Sequence, residues 1–105
     1  MTITECADKA IAAAATIWRV TEDEIRAKDR HQPVAFARQA AIVVTVEVTG
    51  ASNVKVAEVF GKNVSTVWHA RNQVADIRSV DQKEAARLDA MRLAMTQHTF
   101  PAHLL

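Results

Sequence analysis

At 105 residues, 50% of them apolar and 24% charged, the chain is long enough to close one hydrophobic core, and it is too apolar for intrinsic disorder and too short for several domains. A formal net charge of +1 does not by itself mark a binder of polyanions, so the distribution of charge has to carry that argument. The lone Cys6 cannot close an internal disulfide, and neither a leader with a cleavage site nor an apolar run of transmembrane length is legible; a reducing cytoplasm without membrane contact is the expected setting.

Thr2 and Glu5 have the spacing of a capping box, which predicts a first helix from near Thr2 or Thr4 through the alanine-rich stretch to about Arg19. Thr21 and Glu24 repeat the spacing and start a short second helix. Pro33, tolerated in a first helical turn, and Gly50, suited to a left-handed C-terminal cap, bracket a third. Inside it, residues 42–49 are mostly β-branched and alternate from Val44 onward, so local propensity favours a strand. Ala37, Ala41, Val44 and Val48 nevertheless fall at i, i+4, i+7 and i+11, one stripe on a helix, and no second strand is evident to pair with; we read helix.

Ser52 to Phe60 reads as a short amphipathic helix ending at Gly61, and a further helix begins near Asn63 with Val67, Ala70 and Val74 pointing inward. The two together have the pattern of a helix-turn-helix. Asp81 with Glu84 opens a last helix whose Ala85, Leu88, Met91 and Met95 form a stripe. The expectation is an all-α, compact bundle of about six helices, one domain over residues 1–98, with 99–105 a flexible tail.

The run from Gly61 to Ala70 carries the chemistry. A helix set into the major groove presents mainly its first turn to the bases, where Lys62, Asn63, Ser65 and Thr66 supply donors and acceptors and Val64 can meet a thymine methyl. Positive charge gathers beside this run: residues 26–38 hold Arg26, Lys28, Arg30 and Arg38 against Asp29, a local +3, and residues 61–75 hold Lys62 and Arg71 without an acid, a local +2.

The stretch from Val20 to Val74 resembles the C-terminal DNA-binding domain, domain IV, of the bacterial replication initiator DnaA. Three matches carry the resemblance: Arg38-Gln39 inside a long helix, Glu47-Val48-Thr49 at its end, and Thr66-Val67-Trp68-His69-Ala70 in the recognition helix. The family writes the last as Thr-Thr-Val-x-His-Ala after Gly-Gly-Arg-Asp-His. Here Phe60 stands for the first Gly, Lys62 for the Arg, Asn63 for the Asp, Val64 for the His and Ser65 for the first Thr, so the scaffold is closer to the family than the base-reading residues are.

The resemblance implies that Arg38 enters a minor groove, whose narrow A·T stretches attract arginine. It also implies a DNA contact for His69, against a hydrogen-bonded histidine packing the helix pair. Arg26, Lys28 and Arg30 are read as phosphate contacts, with an ordinary solvated face as the plain reading of any one of them. Asn63 suits both an N-cap and a base contact. Trp68, off the inward stripe, suits sugar and phosphate, the core or a partner equally, and Arg71 completes the basic face.

Catalysis finds no support. Gly50 and Gly61 are the only glycines and make no phosphate-cradling loop, so neither ATP hydrolysis nor nucleotide binding is expected. His31, His69, His98 and His103 lack metal-site spacing, and no cofactor is implied. The reading is a regulator that binds double-stranded DNA in a sequence-specific way at a site different from the usual DnaA box. The alternative is a protein-interaction or homodimerisation module using the first and last helices.

Overall fold

The computed structural model describes residues 2–28 and 30–97. Six helices account for the described fold: α1 (Ile3–Trp18), α2 (Glu22–Arg26), α3 (Val34–Thr49), α4 (Asn53–Phe60), α5 (Val64–Val80) and α6 (Gln82–Gln97). The all-α bundle and its helix-turn-helix are as the sequence predicts; the tail expected at 99–105 lies outside the described residues.

Helix starts follow short polar side chains. Thr2 Oγ1 accepts from the Glu5 N–H at 3.1 Å, and Thr21 with Glu24 forms a complete capping box, at 3.0 and 2.9 Å. Asp81 Oδ1 accepts from the N–H groups of Lys83 and Glu84 and opens α6. Pro33 sits at the cap of α3 rather than within its first turn, and the carboxamide oxygen of Gln32 takes the Phe36 N–H at 3.1 Å.

Residues 42–49 are helical throughout, in α3. This helix is the axle of the molecule and touches each of the other five. Phe36, Ala37, Ala40, Ala41, Ile42, Val43 and Val44 are all buried, which leaves it little solvent face and explains why its sequence shows no clean amphipathic period. Thr45 and Thr49 are accommodated by donating to the carbonyls one turn back, Ala41 and Thr45, at 2.8 and 2.6 Å.

Cys6, Ala10, Ile11, Ala14 and Trp18 of α1 and Leu88, Met91 and Met95 of α6 lie in the same core as α3. The apolar stripes of the first and last helices are thus covered inside one chain. Trp18 ties three elements: its ring meets Phe36 edge-on at 5.7 Å, and its Nε1 donates to Glu84 Oε2 at 2.8 Å.

Candidate nucleic-acid interface

The turn between α4 and α5 is set by backbone chemistry. Ser52 Oγ accepts from the Lys55 N–H at 3.2 Å and starts α4. Gly61, at φ 66°, ends it in the left-handed conformation that glycine adopts without a Cβ penalty, and the Lys62 N–H returns to the Ala57 carbonyl at 2.9 Å. Val67, Ala70 and Val74 bury the inner face of α5, as the spacing predicts. The first turn of α5 therefore stands at the surface, with Asn63, Val64 and Ser65 exposed.

Asn63 holds the N-cap backbone conformation, but its side chain makes no cap hydrogen bond. Its amide is not spent on the helix, in contrast with Thr21 and Ser52.

Beside this turn lies a cleft of about 460 Å³ lined by Lys28, Arg30, Arg38, Gly61, Lys62, Asn63 and Thr66. Four of these are cations, brought from the α2–α3 connection, the α3 interior and the α4–α5 turn, and no carboxylate among the described residues joins them. Lys62 is held below the ordinary lysine pKa by burial first, then by the neighbouring charges of Arg38 and Lys28. Such a concavity is built to receive negative charge.

Arg38 reaches this cleft from an unexpected position. It is only 9% exposed; its Nε donates to the Ile25 carbonyl at 2.5 Å and its Nη2 to the Glu24 carbonyl at 3.0 Å. These are last-turn carbonyls of α2, where helical partners run out; that of Glu24 also accepts from the Ala27 N–H at 3.3 Å, whereas that of Ile25 takes its bond from the arginine. The side chain expected in a minor groove thus braces α2 against α3. As placed, it would have to give up these bonds to enter a groove.

The opposite flank of α5 is apolar. Val64 is 41% and Trp68 54% exposed, one turn apart on the same side of the helix. The Arg71 guanidinium covers the Trp68 ring at 5.5 Å from its centroid, and Arg71 Nη1 donates to Asn53 Oδ1 at 3.1 Å, so α4 fixes the position of both. Trp68 is therefore not a core residue, and His69, also exposed, does not pack the helix pair.

Arg26 stands apart from the cleft, paired with Asp8 at 2.8 Å. Both partners are about half exposed, and such a pair contributes at most about 1 kcal/mol, so a phosphate can replace it. Sequence reasoning missed the carbonyls of Glu24 and Ile25, Gly61 as a cleft wall and Asn53 as the anchor of Arg71. Only the α2 capping box hinted at the first, by fixing where that helix must end.

Other chemistry has little material. Cys6 is buried, and burial pushes its thiol up despite the Thr45 hydrogen bond, which favours the unreactive form. No group of three or more His, Cys, Asp or Glu side chains among the described residues is placed to hold a metal ion. No helix among them is long and apolar enough to cross a membrane.

Comparison with known proteins agrees with this geometry. Residues 7–74 match the bacterial DnaA protein helix-turn-helix. The chain is similar to the chromosomal replication initiator protein DnaA of three strains of Streptococcus thermophilus, each 33% identical over 76 residues, which is 71% of this chain. It spans 17% of the length of those relatives. All the elements that form the cleft and all but the last part of α5 fall inside the family match. The chain belongs to the bacterial DnaA helix-turn-helix family, a family of DNA-binding domains.

Proposed function

We propose that this protein binds double-stranded DNA in a sequence-specific manner and acts as a regulator of transcription or replication rather than as a motor. One observation carries the reading: a cleft of four cations adjoins the exposed first turn of α5, so a single docking can place phosphate in the cleft and base edges at the helix start. In this arrangement Lys62, Asn63, Val64, Ser65 and Thr66 read the major groove, while Lys28 and Arg30 grip the backbone, with Arg26 available to it. Trp68, His69 and Arg71 meet the flank of the groove. Arg38 contributes its charge to the cleft and holds the α2 end in place.

Regulation follows from what these residues can do. Both glycines, Gly50 and Gly61, are spent on helix C-caps, and neither belongs to a phosphate-cradling loop, so ATP hydrolysis is not assigned to this domain. Occupancy of a site, by repression or by competition with an initiator, is a role these residues can perform. Dimerisation through α1 and α6 is disfavoured by the burial of their stripes in the core.

The preferred site should differ from the usual DnaA box. Asp accepts from a cytosine amino group, whereas Asn63 offers a donor and an acceptor and suits adenine; Val64 replaces a polar His by an apolar group. Each wrong base pair costs about 1–3 kcal/mol, so two altered contacts would change affinity by roughly tenfold to ten-thousandfold. Selection from a random duplex library, followed by competition of the selected site against a DnaA box at one salt concentration, tests this. Restoring Asn63→Asp together with Val64→His should move preference toward the box. A wild type that already prefers the box would refute the altered specificity, and failure to retain any duplex at low salt would refute DNA binding.

A further inference from the structure

The exposed apolar side chains on α5 call for a separate account. Val80 is exposed at the far end of the helix, but the indole and the valine stand one turn apart at its start, beside the cleft, and Val67, Ala70 and Val74 already supply the packing face. Thr66, on the cleft side, is two positions from both Val64 and Trp68, about 200° around the helix axis. The reading helix thus faces the cationic cleft on one flank and carries the apolar pair, covered by Arg71, on the other.

We propose that Val64 and Trp68 form one apolar ridge that recognises thymine 5-methyl groups in the major groove, with Arg71 as the positioning residue that holds the indole. The proposal rests on the DNA-binding reading above. A thymine methyl is the one apolar group displayed on a base-pair edge in that groove, and apolar side chains are its chemical complement. It projects near its own strand's backbone, at the margin that a flank of the helix meets, rather than at the centre of the groove floor. The Arg71 guanidinium, over the indole at 5.5 Å and fastened to Asn53 at 3.1 Å, limits the ring's freedom, so little ordering remains to be done on binding. The ridge spans one helical turn, about 5.4 Å, enough to meet methyl groups on neighbouring base pairs.

The test uses a duplex selected by the wild-type chain and the same duplex with single thymines replaced by deoxyuridine, which removes the methyl and leaves every hydrogen-bonding group in place. Burial of one methyl is worth about 0.8 kcal/mol, so deoxyuridine at a contacted position should weaken wild-type binding about fourfold, and at two positions about 14-fold. Val64→Ala/Trp68→Ala should bind thymine and uracil duplexes equally. Arg71→Lys, which keeps the charge but loses the planar cover, should lower the thymine-to-uracil ratio more than it lowers overall affinity. Both ridge side chains are exposed, so these variants keep the fold, which circular dichroism verifies. Equal wild-type affinity for the thymine and uracil duplexes overturns the ridge while leaving DNA binding intact, as does a ratio unchanged in the double variant. Retention of no duplex at all overturns both readings.

Discussion

Arg38 and Ile25 are joined by a 2.5 Å hydrogen bond from the guanidinium Nε to the backbone carbonyl, across thirteen positions of sequence. The bond joins the middle of the reading domain to the end of a five-residue helix that could not hold its position by its own propensity. It also fixes where the cationic connection carrying Lys28 and Arg30 begins.

Arg38→Ala should therefore act first on stability. Leaving the buried Ile25 carbonyl without its charged donor costs about 1–3 kcal/mol, which for a domain of this size lowers Tm by roughly 5 °C or more. Arg38→Lys should recover little, because an ammonium cannot reproduce the planar fork. Thermal unfolding decides: a variant that melts like the wild type yet loses base preference at one edge of its site would return Arg38 to the minor groove.

Lys62 should show opposite effects on stability and binding. Its lowered pKa means that the charged form is disfavoured in the DNA-free folded state; the penalty is present below the lowered value and disappears above the ordinary 10.5. Lys62→Met is expected to stabilise the free protein at neutral pH while weakening duplex binding. A phosphate in the cleft reverses the like-charge cost. Binding should accordingly take up a proton between the lowered value and 10.5, and affinity should fall as pH rises through that window more for the wild type than for Lys62→Arg. Unchanged affinity in Lys62→Met would remove this side chain from the interface.

Asn63 and Ser52 make a paired test of capping against reading. Ser52 accepts a backbone hydrogen bond, so Ser52→Ala should cost about 1 kcal/mol of stability. Asn63 occupies the equivalent position of α5 without such a bond; Asn63→Ala should leave stability within about 0.5 kcal/mol and lower affinity for the selected site by about 1–3 kcal/mol. Comparable losses of stability in the two variants would show that Asn63 is a cap.

Salt should separate the cleft from the reading turn. Each neutralised phosphate contributes roughly −0.9 to the slope of log affinity against log salt, so Lys28→Ala and Arg30→Ala should each flatten that slope by about one and weaken all duplexes alike. Asn63→Ala should leave the slope unchanged. A flat wild-type dependence would deny the cleft its phosphate.

The fold was largely legible because its signals are local. The caps at Thr21 and Asp81, the left-handed Gly50 and the stripes of α5 and α6 need no knowledge of the partner helix. The β-branched run from Ile42 to Thr49 was the hard element, since a central helix buried nearly all round loses the amphipathic period that distinguishes it from a strand. The exposed start of α5 was legible for the same local reason, whereas the bonds that hold Arg38 and the pairing of Arg26 were not. Burial of an arginine depends on acceptors delivered by another helix, and the Arg26–Asp8 pair spans eighteen positions; charge counting sees neither. Nor does a sequence disclose that separate cations share one concavity.

That concavity, on a chain whose net charge is only +1, makes the positive charge local rather than spread over the surface. Acids such as Glu5, Asp8, Glu22 and Asp23 balance the cleft from α1 and α2. On the proposed DNA-binding reading, the field of a duplex would draw the cleft toward it ahead of the rest of the surface. Its encounters are then already oriented, whereas its hold on random DNA stays weak, because few phosphates are engaged away from the cleft. On the proposed reading, such a protein would survey many sequences in brief contacts and remain only where the first turn of α5 finds its bases.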